Sequence, residues 1–168
     1  MQEKGYVKVQ HEFSPVYDKE SRVLILGTFP SVKSREGQFY YHHPQNRFWK
    51  VTAALAGETT PQTIEEKKKM LLRHHIAIWD VVQSCWIKGS SDSSIRDVVP
   101  ADLRLITDSA DIQCIFANGT TAFRLYERYC KESVGRKAVC LPSTSPANAV
   151  WRLEALTEKW KEEILPYL

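Results

Sequence analysis

Apolar residues along this chain fall into two kinds of pattern, and their alternation predicts the architecture. Val23-Leu24-Ile25-Leu26-Gly27, led in by Ser21-Arg22, is an unbroken apolar run, as expected for a strand covered on both faces of a parallel sheet. Runs of the same kind recur at Ile76-Ala77-Ile78-Trp79, from Ile112 to Ala117 and from Ala138 to Leu141. Between them the apolar positions take a helical period: Phe48, Val51 and Leu55, closing at Gly57; Ile64, Leu71 and Leu72; Leu103 and Ile106; Ala122, Leu125, Tyr126 and Tyr129. Leu153, Leu156, Trp160 and Ile164 mark a last helix. Thr63 with Glu66 three residues on makes a capping-box pattern, and the KKK and RHH runs fall toward the other end of that helix, where the dipole favours cations.

Strand and helix therefore alternate, which predicts an α/β domain: three layers, α/β/α, around a central, mostly parallel sheet of about four strands. With 168 residues, 43% of them hydrophobic, and no break in composition, the chain reads as one domain over residues 1–168. The first residues, MQEKGYVKVQHEF, are polar and charged, and no run of about 18 apolar residues occurs, so a soluble, intracellular (cytoplasmic) protein without a membrane partner is expected. Without a secretion signal, the sequon Asn118-Gly119-Thr120 carries no weight. Cys85, Cys114, Cys130 and Cys140 include no C-x-x-C pair, which favours free buried thiols over a metal centre. A net charge of +3 is compatible with nucleic acid but does not select it.

In sheets of this kind ligands collect at the carboxyl ends of the strands. Those ends read Gly27-Thr28-Phe29-Pro30-Ser31, Asp80-Val81-Val82-Gln83-Ser84, Asn118-Gly119-Thr120 and Pro142-Ser143-Thr144-Ser145-Pro146-Ala147-Asn148. None is a phosphate-binding loop, a dinucleotide fingerprint, a zinc signature or a nucleophile elbow.

Gly27-Thr28-Phe29-Pro30-Ser31, followed by Phe39-Tyr40-Tyr41-His42-His43-Pro44-Gln45-Asn46-Arg47-Phe48-Trp49, resembles the first motif region of the mismatch-specific uracil and thymine DNA glycosylases. Leu141 to Asn148, reading LPSTSPAN, resembles the closing Ser-Pro loop of the uracil-DNA glycosylase superfamily, in the version found in hypoxanthine-DNA glycosylases. The intervening IAIWDVVQSCWIKGSSDSSI fits the same branch, so the resemblance runs over about residues 20 to 165. It implies a uracil-DNA glycosylase-like fold and a monofunctional enzyme that flips a deaminated base, hypoxanthine or also uracil, out of DNA and hydrolyses its N-glycosidic bond. A uracil- or mismatch-specific enzyme and an inactive DNA-binding relative are the competing readings. The resemblance implies no metal or cofactor, DNA with deaminated bases as partner, and a monomer.

The resemblance also distributes roles. Mismatch-specific enzymes carry a water-activating Asn where this chain has Phe29, which passes that role to Asn46. There a side-chain carbonyl would orient water while the NH2 anchors elsewhere. Read without the resemblance, Asn46 caps a helix beginning at Arg47. Asp80 stands at the base-reading position, or else accepts from loop amides. Tyr41 matches the aromatic on which the base stacks, or is core and pocket wall. Phe29 and Asn118 complete the base pocket, Asn118 being the next candidate to read the base. Ser31, Ser143, Ser145, Pro146, Ala147 and Asn148 suit the DNA backbone, the last five forming the loop that fills the gap left by the flipped nucleotide. The segment 89–94, GSSDSS, reads as either another phosphate-facing loop or a surface turn. His42 and His43 receive no catalytic role. No lysine occupies a motif position, so nothing supports a Schiff-base lyase step.

Overall fold

The five residues of β2 (Val23–Gly27) are all buried, and so are those of β3 (Ile76–Asp80). With β6 (Cys114–Asn118) and β7 (Ala138–Leu141) they form a parallel sheet in the order β3-β2-β6-β7. The register sets Gly27 beside Asp80 and Asn118 beside Leu141, which brings the carboxyl ends of the strands level. This computed structural model describes residues 5–168; Met1 to Lys4, the first of the polar and charged residues, lie outside the described residues.

The chain steps one way from β2 to β3 and the other way from β6 to β7. With right-handed crossovers, that reversal puts the two sets of helices on opposite faces. Between β2 and β3 come α1 (Val32–Gly37), α2 (Phe48–Ala56) and α3 (Ile64–Arg73). Thr63 caps α3 through the expected box, its hydroxyl accepting from Glu66 N while Glu66 reaches back. The helix expected from Arg47 starts at Phe48, with Arg47 as the residue before it. Around Leu103 and Ile106 only one turn forms, α4 (Arg104–Thr107). α5 (Thr120–Tyr129) and the short α6 (Lys131–Val134) link β6 to β7, and α7 (Leu153–Ile164) returns to pack on α2. There Trp160, fully buried, meets Phe48 edge-on at 5.9 Å, and its indole N–H donates to Pro142 O at 2.9 Å. That bond ties the last helix to the start of the closing loop.

A second sheet had no counterpart in the apolar pattern. β1 (Val7–Gln10), β4 (Val82–Ile87) and β5 (Arg96–Pro100) pair antiparallel in the order β1-β4-β5. The chain leaves β3 at Asp80, passes through Val81 and enters β4 at once. The carbonyls of Gly27 and Thr28 hold this joint by accepting from Val81 N at 2.9 Å and Val82 N at 3.1 Å. Of the thiols expected to be buried, Cys85 and Cys130 are; Cys114 is partly covered and Cys140 is exposed, because β7 is the sheet's outer strand. No helix among the described residues is long and apolar enough to cross a membrane.

Candidate active site

Strand order reverses between β2 and β6, and a pocket of about 260 Å³ opens there, at the carboxyl ends of the sheet. That lies just below the range of about 300–1,000 Å³ for drug-sized ligands, as suits a single nucleobase. Of the residues singled out in the sequence, Phe29, Ser31, Tyr41, Asn46, Asp80, Asn118, Ser143, Ser145 and Pro146 line it. Ala147 and Asn148 do not; they line a neighbouring hollow on the outer side of the closing loop.

Asp80 is 4% exposed, yet it carries a carboxylate into the pocket. Its Oδ2 meets His11 Nε2 at 2.8 Å, with both side chains almost wholly buried. His11 follows β1, and its backbone is fixed to β4 by His11 N donating to Gln83 O at 2.7 Å. The small sheet thus delivers a histidine behind the carboxylate. On the pocket side, a side chain at Gly27 would place its Cβ 2.4 Å from Asp80 Oδ1 and 2.8 Å from the Tyr41 hydroxyl, so glycine is what allows both oxygens to converge. Phe29 roots its ring among Val82, Cys85 and Ile87 of the small sheet's core and forms the pocket wall beside them.

Tyr41 sits in the left-handed backbone region at φ 51°, a conformation a tyrosine holds only where its surroundings impose it. One ring face stacks on Phe48 at 4.0 Å, which leaves less of the ring for a base than the stacking role assumes. Its hydroxyl is buried and, among the described residues, makes no hydrogen bond of good geometry. Burial, reinforced by the charge of Asp80, pushes this phenol far above its ordinary range, with the Asn118 amide pulling the other way.

A polar network crosses the pocket behind these groups. Asn118 Nδ2 donates to Thr144 Oγ1 at 3.0 Å, and Thr144 N donates to Asn118 Oδ1 at 3.0 Å. The Thr144 hydroxyl in turn donates to Asn46 Oδ1 at 2.9 Å. Asn46 Oδ1 also accepts from Phe48 N at 2.9 Å, the bond that starts α2. Both lone pairs of that carbonyl are therefore occupied. The expected arrangement, carbonyl toward water and NH2 anchored, is reversed: the carbonyl is the anchor, and among the described residues the NH2 is uncommitted. Arg47 braces the same region, its guanidinium donating to the carbonyls of Ser145, Asn148 and Trp151 while its own N–H donates to Thr144 O.

Within the closing loop, Ser143 Oγ accepts from Ser145 N and Ser145 Oγ accepts from Ala147 N. Each hydroxyl keeps its hydrogen for an outside acceptor such as a phosphate. Asn148 turns inward instead, donating from Nδ2 to Ser143 O at 3.1 Å. Replacing Arg47 with lysine, one point charge for a three-way fork, is expected to weaken abasic-DNA binding by about tenfold through loosening this loop. Fluorescence anisotropy measures it; unchanged affinity would show that the loop holds its shape without the fork.

The loop at 89–94 folds against α1: Ser90 Oγ accepts from Val32 N at 2.9 Å, and Arg35 donates to Gly89 O at 2.6 Å. It places Asp92 on the pocket rim. Desolvation there and the charge of Asp80, opposed by a hydrogen bond with Thr28, push this carboxyl up from 3.8 to about 6. A raised carboxyl holds its proton to higher pH in the folded chain than in the unfolded one, so its contribution to stability is present at low pH and lost as pH rises toward 6. Asp92→Asn is therefore expected to melt higher than the unchanged protein at pH 8 and level with it at pH 3.5. Because the side chain reaches solvent, the gain stays below about 1 kcal/mol, or about 4 °C. A difference that does not vary with pH, in melts taken across this range, would rule out the titration as its origin.

His11 escaped the sequence reading, and Thr144 and Asp92 entered it only within longer stretches, without roles of their own. Thr144 lies inside the quoted LPSTSPAN stretch, where no local pattern marks it as the fully buried residue of the loop. His11 lies in a short strand's wake 69 residues from Asp80, with no motif to mark it. His43, given no role, also lines the pocket.

Comparison with known proteins agrees with this geometry. The family model described as the uracil DNA glycosylase superfamily matches residues 14–168. A hypoxanthine DNA glycosylase of Methanosarcina acetivorans is 34% identical over 142 residues, covering 83% of this chain and 89% of the relative. A protein of the same description from Methanosarcina barkeri is 31% identical over 139 residues, covering 81% and 86%. Among solved structures, the solution NMR structure of a candidate uracil DNA glycosylase from Methanosarcina acetivorans superposes with a TM-score of 0.74 at 31% identity, covering 89% of this chain and 95% of that one.

Proposed function

Since the chain belongs to the uracil DNA glycosylase superfamily, we propose that it is a monofunctional glycosylase that releases hypoxanthine from DNA. The observation that carries this reading is Asp80, a buried carboxylate held from behind and presented to a base-sized pocket at the sheet's switch point. An ionised carboxylate only accepts hydrogen bonds. Hypoxanthine presents an N1–H donor there, whereas adenine presents a lone pair that the carboxylate opposes.

The reaction needs the base out of the stack and turned into the pocket. Water then bonds to C1′ as the bond from C1′ to the base breaks, the electron pair leaves with the base, and the proton of the water ends on the base or in solvent. Asn46 supplies donors from its NH2 where negative charge develops, and the fixed network behind it spares reorganisation as the charge appears. The closing loop offers serine hydroxyls to phosphates, which fix position without reading sequence. Val150, at the loop's far end and 86% exposed, is an apolar side chain suited to the space a flipped nucleotide vacates. Among the described residues no lysine lines the pocket, which supports hydrolysis to an abasic site over attack on C1′ by a lysine amine.

Uracil also carries a ring N–H that Asp80 can accept, which keeps it as a second substrate. Oligonucleotides bearing hypoxanthine, uracil, xanthine or a thymine mismatch separate the readings. Alkali-dependent strand breaks at hypoxanthine, with no borohydride-trapped adduct, are expected. Silence with every base would make the protein a DNA-binding relative.

A further inference from the structure

Two oxygens at the pocket wall have complementary hydrogen-bonding character. Asp80 has committed Oδ2 to His11, which leaves Oδ1 as an acceptor. Among the described residues the buried Tyr41 hydroxyl makes no hydrogen bond of good geometry; the Asn118 amide lies beside it but is engaged with Thr144 through its oxygen and one N–H. An orphaned buried hydroxyl costs free energy that a bound group would return. Both oxygens approach one point, 2.4 and 2.8 Å from the place a Cβ on Gly27 would occupy. They are close enough to meet two adjacent polar atoms on one base edge.

We propose that Asp80 Oδ1 and the Tyr41 hydroxyl form an acceptor–donor pair that reads the neighbouring N–H and C=O of a lactam edge, with His11 as the residue that holds Asp80 in that setting. The proposal rests on the glycosylase reading and narrows its substrate class to oxo-bases: hypoxanthine, xanthine and uracil. Adenine and cytosine present a ring lone pair where Asp80 needs a donor. A phenol can also accept, so rejection of the amino-bases belongs to Asp80, and Tyr41 adds the contact to the carbonyl. Because burial keeps the phenol protonated, it remains a donor across the working pH range. Guanine shares the lactam edge; its exclusion falls to the greater cost of extruding a paired base than a mispaired one.

His11 is a positioning residue. It is packed among the rings of Phe13, Tyr40 and Phe29, at 4.5, 5.6 and 6.3 Å, so its imidazole is fixed by aromatic contacts while one N–H is committed to Asp80. Without that bond the carboxylate can turn, and either oxygen can face the pocket.

The test compares affinity for two DNA duplexes, one with 2′-fluorinated deoxyinosine and one with the 2′-fluorinated nucleoside of unsubstituted purine. Fluorine slows bond cleavage in both, and the second base lacks both N1–H and O6. The unchanged protein is expected to prefer the inosine duplex, and Tyr41→Phe to lower that preference about tenfold, the loss of one hydrogen bond in a buried site. His11→Phe should lower it similarly, while His11→Gln, whose amide N–H can still reach Asp80, recovers most of it. Abasic-DNA binding in each variant reports the fold. Equal loss of affinity for both duplexes in Tyr41→Phe, or an unchanged preference in His11→Phe, would overturn the proposal while hypoxanthine release by the unchanged protein upheld the glycosylase reading. If the unchanged protein neither releases a base nor prefers the inosine duplex, that reading falls and takes the proposal with it.

Discussion

Asn46→Asp is expected to release hypoxanthine as slowly as Asn46→Ala, both about 10²-fold or more below the unchanged protein, the usual loss for one oriented catalytic donor. The two substitutions separate the oxygen of Asn46 from its nitrogen. An aspartate still accepts from Phe48 N and from the Thr144 hydroxyl, so α2 and the closing loop remain anchored. Alanine loses both contacts and should melt lower by about 1 kcal/mol, the cost of a lost helix cap. Single-turnover rates with an inosine duplex, beside thermal melts, therefore give a two-by-two outcome. Should Asn46→Asp keep a near-normal rate, the oxygen is the working atom, and the Thr144 hydroxyl must swing away to free it for water.

Asp80→Ala is the second large effect. Hypoxanthine release should fall by about 10²-fold, the scale of a hydrogen bond to a charged group lost from a buried site. The change also strands the Nε2–H of His11 among aromatic rings, so lower stability accompanies the slower rate. Asp80→Asn should be milder, because its amide oxygen can accept from N1–H while its NH2 donates to a His11 that has moved its proton to Nδ1. The same variant should gain on uracil, whose O4 that NH2 can meet in the opposite amide orientation. Release assays with both bases check this; full hypoxanthine activity in Asp80→Ala would make the carboxylate structural and pass base reading to Asn118.

The parallel sheet was legible because its strands are buried on both faces and so appear as plain apolar runs. β2 and β7 match the expected limits residue for residue, and β3 extends one residue further, to Asp80. The small sheet was not legible. β1 is four residues long and largely exposed, β5 ends in Pro100, and β4 follows β3 after one residue, so IAIWDVVQSCWI has no punctuation where the chain changes sheets. The pocket residues at strand ends could be located by position in the fold alone. Their hydrogen-bond orientation could not. That Asn46 faces its carbonyl inward depends on Thr144, 98 residues away, and no local pattern encodes which end of an amide a distant hydroxyl will take.

The placement of His11 bears on where this protein can be shortened. The family match begins at residue 14, so a chain trimmed to that boundary would keep the parallel sheet and all the motifs quoted from the sequence. It would also lose β1 and His11, leaving β4 without one neighbour and Asp80 without the imidazole behind it. The segment outside the family match does not line the pocket, yet it backs the carboxylate that does. Tags or fusions at this end belong ahead of β1 rather than in place of β1 and His11.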